Sequence, residues 1–220
     1  MALYLIAIPI GNKNDVGLRA LEILRSVSTI ILEERKEGTQ FLRSHEISGK
    51  TYEQLNEHST KEDILRLSEL CSSQDIALIT DAGTPGFCDP GAHLVAACRN
   101  KNISVYTVPG ASSLMGLLSL SSKRINQFLF RGFLPAENVA RQAEWVKLKK
   151  EKIDIVVMDT PYRLQKTLSE VEETFPERKI LLTLNLTQSD EQILEGRPKE
   201  IKTQLKHTKA EFMMLIYAND

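Results

Sequence analysis

The chain has 220 residues, 42% of them hydrophobic and 26% charged, enough for one large core or two smaller ones. Its 28 Lys and Arg against 29 Asp and Glu leave a formal net charge of -1, which excludes a global basic field and restricts any nucleic-acid or membrane partner to a local patch. Three cysteines without CxxC spacing and four scattered histidines exclude a structural zinc site, so a metal-independent protein of a reducing cytoplasm is expected. The first apolar run, ALYLIAIPI, is too short to span a membrane and carries Pro9, which suits neither a signal peptide nor an anchor. In chain order, apolar runs predict strands at 3–8, 29–34, 75–80, 103–108, 127–130, 154–159, 179–184, 191–194 and 211–218. Helical spacing predicts a first helix capped by Asp15, where Ala20, Leu21, Leu24 and Val27 recur, and others at 61–72, 91–100, 111–122, 138–152 and 162–175. Such alternation is that of an α/β protein with a largely parallel sheet. The strands crowd together after the segment 121–138, which places a division into domains 1–121 and 122–220.

Three loops lie at the carboxyl ends of predicted strands, where open α/β sheets bind ligands. In AIPIGNKND (7–15), Pro9 fixes its own φ and restrains Ile8. In TDAGTPGFCDPG (80–91), Gly83, Gly86 and Gly91 permit close backbone approach, Pro85 and Pro90 remove freedom, and Asp81 and Asp89 offer hydrogen-bond acceptors. In VPGASS (108–113), a strand ends and a helix begins, so free amides and the hydroxyls of Ser112 and Ser113 face whatever is bound. Neither GxGxxG nor GxxxxGK[ST] occurs, so a nucleotide-like ligand is held by other means.

On DAGTPGFCDPG, PGASS, FRGFLP and DTPYR, together with their order along nearly the whole chain, the sequence resembles the tetrapyrrole methylase family of S-adenosylmethionine-dependent methyltransferases. It is most similar to the family's ribosomal RNA branch, which modifies a cytidine 2′-hydroxyl in the small subunit. The resemblance implies two α/β domains with the methyl donor, S-adenosylmethionine, in a cleft between them, and a homodimer. It assigns the donor wall to Asp81, Gly83, Thr84 and Phe87, with Pro9 and Ile10 from the first loop and Ala111, Ser112 and Ser113 from the third. Met158 and Leu186 close the pocket from the second domain.

The acceptor side departs from that branch. Its acidic-Asp-Thr-Arg segment reads Glu33, Glu34, Arg35, Lys36 here, and its His-Glu-His-Asn-Glu segment reads Glu53, Gln54, Leu55, Asn56, Glu57. Glu-Ser-Pro-His-Arg becomes Asp159, Thr160, Pro161, Tyr162, Arg163, and Arg-Glu-Leu-Thr-Lys becomes Leu184, Asn185, Leu186, Thr187, Gln188. The sequence stops at Asp220, where that branch often continues into a helical extension. From their positions in these segments, Glu33 and Lys36 are expected to flank the acceptor and Arg163 to hold an anionic group of it. A ribose hydroxyl is a poor nucleophile, so a general base or a nearby cation helps it.

For RNA contact, one patch sets Arg141, Lys147, Lys149, Lys150 and Lys152 around Trp145, and another covers 197–209. The competing reading makes both solvated helix faces, with Trp145 packing beside Leu148. Two functions stand against ribose methylation of small-subunit RNA: methylation of a tetrapyrrole or other small molecule, and a regulatory protein that binds the donor without turnover.

Overall fold

The run IALI is apolar at every position and TIIL at all but Thr29, and strands of that kind are stable only when helices cover both faces of their sheet. In the computed structural model, which describes residues 1–219, both are buried at every position. The chain forms two compact units, Met1–Ser112 and a second that begins at Ser113.

The first unit contains β1 (Ala2–Ile6), α1 (Leu18–Ser26), β2 (Thr29–Leu32), α2 (Arg35–Ser44), β3 (Thr51–Gln54), α3 (Lys61–Ser73), β4 (Ile76–Ile79), α4 (Ala92–Asn100) and β5 (Ser104–Val108). Its sheet runs β3-β2-β4-β1-β5, and every pairing is parallel. Alternation along the strands sends Ile6, Ile30, Leu32 and Ile79 to one face, where Leu24 of α1 and Leu42 of α2 pack. Leu3, Ile31, Ile76 and Leu78 go to the other, against Leu67 of α3 and Leu94 of α4. Cys71 and Cys98 are buried, unbridged members of that second core. The first helix begins later than predicted: its cap is Gly17, while the Asp15 amide donates to the Asn12 carbonyl in a turn at 2.9 Å. The start of α3 is firmer, because Thr60 and Asp63 form a reciprocal capping box.

The second unit contains α5 (Ser113–Ser119), β6 (Phe128–Phe133), α6 (Asn138–Leu148), β7 (Asp154–Asp159), a 3₁₀ turn (Pro161–Arg163), α7 (Leu164–Thr174), β8 (Ile180–Leu184), β9 (Gln192–Gly196), α8 (Pro198–Gln204) and β10 (Phe212–Ile216). Its order is β6-β7-β10-β8-β9. Only β6 and β7 pair in parallel, and β10–β7, β10–β8 and β8–β9 are antiparallel, which corrects the expectation of a largely parallel sheet for this half. The reason is loop length: β8 and β9 are adjacent strands joined by residues 185–191, too short a link for the crossover that parallel neighbours need. Helices α6, α7 and α8 cover one face through Trp145, Leu148, Leu168, Val171 and Ile201. On the other, α5 packs Leu117 against Val156, Leu181, Met213 and Leu215.

A buried charge locks this unit. Arg141, 1% exposed, donates through Nε to both Glu170 oxygens at 2.8 and 3.0 Å, through Nη1 to Asp159 and the Pro135 carbonyl, and through Nη2 to Thr167 at 2.7 Å. Trp145 Nε1 donates to the same Glu170 at 3.0 Å, and its ring meets Phe175 edge-on. Arg141 and Trp145 therefore belong to the interior, which removes both from the basic patch proposed for RNA. In the other patch, Arg197 pairs with Glu177 and Lys202 with Glu172. Among the described residues, no helix is long and apolar enough to cross a membrane, and no group of three His, Cys, Asp or Glu side chains is arranged to hold a metal ion.

Removing one member of a buried ion network strands the others. Arg141→Ala is expected to lower the unfolding free energy by about 3–5 kcal/mol, read as a shift of the urea midpoint. Full stability in that variant rules out the clamp.

Candidate active site

The first unit brings its three punctuated loops together at the carboxyl ends of the strands. Ile8 and Gly83 exchange backbone hydrogen bonds, Ile8 N to Gly83 O at 2.9 Å and Gly83 N to Ile8 O at 3.0 Å. Thr84 Oγ1 donates to the Ala111 carbonyl at 3.2 Å. Ala7 N donates to Val108 O at 3.1 Å. Gly83, Gly86 and Gly91 have φ of +74°, +83° and +146°, a region that side chains with a Cβ rarely enter. The turn that TDAGTPGFCDPG needs thus requires its glycines. A Cβ built on Gly83 would stand 3.4 Å from Ile10 Cγ2 and 3.9 Å from Ala111 O, filling a cradle formed by all three loops. That cradle fits a ligand that approaches main chain, as the donor implied by the resemblance must.

Pro9, Ile10, Asp81, Gly83, Thr84, Phe87, Ala111 and Ser112 all lie on these loops. Phe87 is 49% exposed. Ser113 opens α5 in the second unit. In that unit Met158 sits on β7 opposite Phe133 and Met213. Leu186 packs over Gly116 of α5, where a Cβ would come within 2.7 Å of Leu186 Cδ2. Arg163 is anchored at the end of β7, its Nη1 donating to Asp159 Oδ1 at 3.2 Å. Its side chain is one-third exposed, while Asp159 is fully buried.

Next to the cradle, β2 and β4 are braced across their ends. Asp81 N donates to Glu33 Oε2 at 3.2 Å, and Glu34 N donates to Asp81 Oδ1 at 3.1 Å. Beyond this brace opens a cavity of about 490 Å³ whose walls include Glu33, Asn56, Glu57, His58, Asp89 and His93. The carboxylates crowd one another. Burial, and then the Glu33 charge, push Asp89 up to about 6. Glu33 is also raised, chiefly by burial and against the hydrogen bond from the Asp81 amide. Asp81 is raised by loss of solvent more than the Glu34 amide lowers it. Carboxylates tuned toward neutrality suit proton transfer. Lys36, by contrast, is exposed at the start of α2, with Glu37 at 3.7 Å.

Sequence reasoning gave Asp89 only a hydrogen-bonding part and passed over His58 and His93. The signal for Asp89 was present, since its loop also carries the cradle. The histidines come from separate segments that only the fold brings to one wall.

Known proteins are similar to this chain along most of its length. The family model for tetrapyrrole (corrin/porphyrin) methylases matches residues 2–202. The chain is 34% identical over 220 residues to a protein of Neisseria meningitidis serogroup B named ribosomal RNA small subunit methyltransferase I, covering 98% of this chain and 75% of that one. Proteins of the same name from Synechocystis (38% over 198 residues, 88% of this chain and 70% of that one) and Borrelia garinii (32% over 218 residues, 97% of each) are similar too. Among solved structures, cobalt precorrin-4 methyltransferase superposes with a TM-score of 0.68 at 15% identity, covering 98% of this chain and 94% of that one. Diphthine synthase gives 0.69 at 14%, covering 99% and 89%. These last two speak for the fold alone. With a family model spanning most of its length and relatives above 30% identity along nearly all of it, the chain belongs to the tetrapyrrole methylase family and is an S-adenosylmethionine-dependent methyltransferase.

Proposed function

We propose that the protein methylates a ribose 2′-hydroxyl in small-subunit ribosomal RNA, and that it works in the cytoplasm as a homodimer. One observation carries the reading: a single loop, 80–91, builds the donor cradle with its first half and lines a carboxylate-bearing cavity with its second. The names of its relatives point to small-subunit ribosomal RNA as the substrate.

The donor supplies an already activated methyl group on its sulfonium. What remains for the protein is to place the acceptor, exclude water and take up one proton. The cradle at Gly83, Thr84, Ile10 and Ala111 holds the donor through main chain and small side chains, with Pro9, Asp81, Phe87, Ser112 and Ser113 completing that wall. Glu33 and Asp89 accept the hydroxyl proton, since a carboxylate with a raised pKa is the stronger base once ionised. Lys36 favours the developing alkoxide, and Arg163, fixed on Asp159, holds a phosphate of the substrate.

Three outcomes test this reading. Gly83→Val is expected to weaken donor binding by calorimetry at least tenfold, because a β-branched residue at positive φ fills the cradle and adds about 1–3 kcal/mol of backbone strain. Donor affinity equal to wild type in a folded variant removes the cradle. Transfer of labelled methyl to unmodified small subunits should fall at least tenfold in Glu33→Gln, Lys36→Ala and Arg163→Ala, each a loss in the range of one acid–base or charge contact; label appearing only in a small-molecule pool reassigns the acceptor. The base works ionised, so the rate should drop as pH falls through about 6, where Asp89 protonates. Asp89→Asn should lose about a hundredfold in rate together with that acid limb, and an unchanged profile takes Asp89 out of the proton path.

A further inference from the structure

The edge of the first sheet carries a second opening that donor and acceptor chemistry leave unused. Among the described residues, β3 pairs only with β2. Along it lies a pocket of about 360 Å³ bordered by Arg35, Tyr52, Gln54, Asn56, His58 and Arg66. Its cations come from opposite faces of the sheet, Arg35 from α2 and Arg66 from α3. Arg66 is occupied, its Nη1 donating to Glu53 at 2.8 Å. Arg35 has no carboxylate partner among the described residues; its guanidinium lies over the Tyr52 ring, 5.9 Å from the centroid. Asp63, the other acid at the rim, is engaged in capping its own helix at Thr60. A cation without a carboxylate partner and the half-buried ring it lies over, which also packs against the core, therefore border the same opening.

Amide groups line the remainder. Gln54 Nε2 donates to the Glu33 carbonyl, and Asn56 Oδ1 accepts from the His58 amide. These bonds orient both side chains and leave Gln54 Oε1 and Asn56 Nδ2 as an acceptor and a donor without a bond partner among the described residues. The wall formed by Asn56, His58 and Ser59 is shared with the 490 Å³ carboxylate cavity on its other side. A ligand that places one unit in the cavity meets this pocket with its next.

We infer that this edge pocket is a subsite for the nucleotide adjoining the methylated one, with Arg35 on its phosphate, Tyr52 against its base and Gln54 and Asn56 at the base edge. The inference rests on the RNA reading above. It adds a location for single-stranded RNA, whose recognition relies on aromatic and guanidinium faces and on amides that reach exposed base edges.

Filter binding of a short single-stranded oligoribonucleotide across a salt series tests it, with calorimetry of S-adenosylmethionine and sedimentation as companions. Arg35→Ala should weaken RNA binding about tenfold and make the log–log salt slope shallower by about 0.7, the value for one single-strand phosphate contact, whereas Arg35→Lys should keep the slope. Tyr52→Leu should weaken binding about tenfold with the slope unchanged. Donor affinity should stay at the wild-type value in all three, which separates a local effect from misfolding. Variants that bind RNA like wild type overturn the subsite while leaving the proposed function in place. A wild-type protein that neither binds nor methylates RNA overturns both. A change of oligomeric state with unaltered RNA affinity identifies the β3 edge as a contact between copies of the chain, and overturns the subsite as well.

Discussion

Two hydrogen bonds between Ile8 and Gly83 set the geometry on which the site depends. The exchange is an isolated antiparallel bridge between loops that leave parallel strands, so it closes the top of a sheet whose ladder has already ended. It forms only because Gly83 takes a positive φ, and it fixes where Asp81 and Thr84 begin on either side. Thr84 then ties the third loop through Ala111, while Asp81 reaches the end of β2 through Glu33 and Glu34. One conformationally unusual residue thus couples the carboxyl ends of four strands. Pairing of β1 with β4 and β5, and of β4 with β2, supplies the rigid base on which the loops stand.

The second unit solves a related problem with charge. Its DTPYR segment leaves β7 with Asp159 fully buried, a position that needs compensation. Arg141, Thr167 and Arg163 all donate to that carboxylate, and Thr160 N donates to it as well. Arg141 and Arg163 divide the work. The first directs its remaining donors to Glu170, Pro135 and Thr167 and is sealed inside, whereas the second keeps part of its guanidinium in solvent. The carboxylate that the family-like segment retains is therefore a fixed mount, and the arginine is the group it presents.

What the sequence made legible follows from how each signal is encoded. The three loops were readable because glycine and proline act through the backbone and keep their meaning without tertiary context. Strands β2, β4, β7 and β8 were readable because burial on both faces demands consecutive apolar residues, as in IIL, IALI, IVVM and ILL. Three elements escaped. β3 is an edge strand of four residues, TYEQ, with no residue fully buried, so its pairing with β2 leaves almost no hydrophobic signature. In α2, RKEGTQFLRS, Gly38 reads as a breaker; its place is dictated by Leu32, whose Cδ2 would lie 2.7 Å from a Cβ there. α8 is seven residues opened by Pro198. Arg141 was misread for the opposite reason. On a predicted helix whose C-terminal end carries Lys147, Lys149, Lys150 and Lys152 it has the pattern of a solvated face, and only the carboxylates of β7 and α7, 18 and 29 residues away, show that it is interior.

The same distinction between local code and tertiary context explains the altered acceptor segments. Where the ribosomal RNA branch has His-Glu-His-Asn-Glu, this chain has Glu53-Gln54-Leu55-Asn56-Glu57, which by sequence alone is the loss of both histidines. Leu55 is 2% exposed and its amide continues the β3–β2 pairing by donating to the Leu32 carbonyl. That position therefore faces the core, and an apolar residue there improves packing. Glu53 is answered by Arg66 of α3, so the new carboxylate adds an ion pair and little net charge to the rim. Gln54, Asn56 and Glu57 remain to line the two openings, and His58 and His93 supply imidazoles from neighbouring positions. Residues 53–57 therefore divide between core packing at Leu55 and the rims of the two openings.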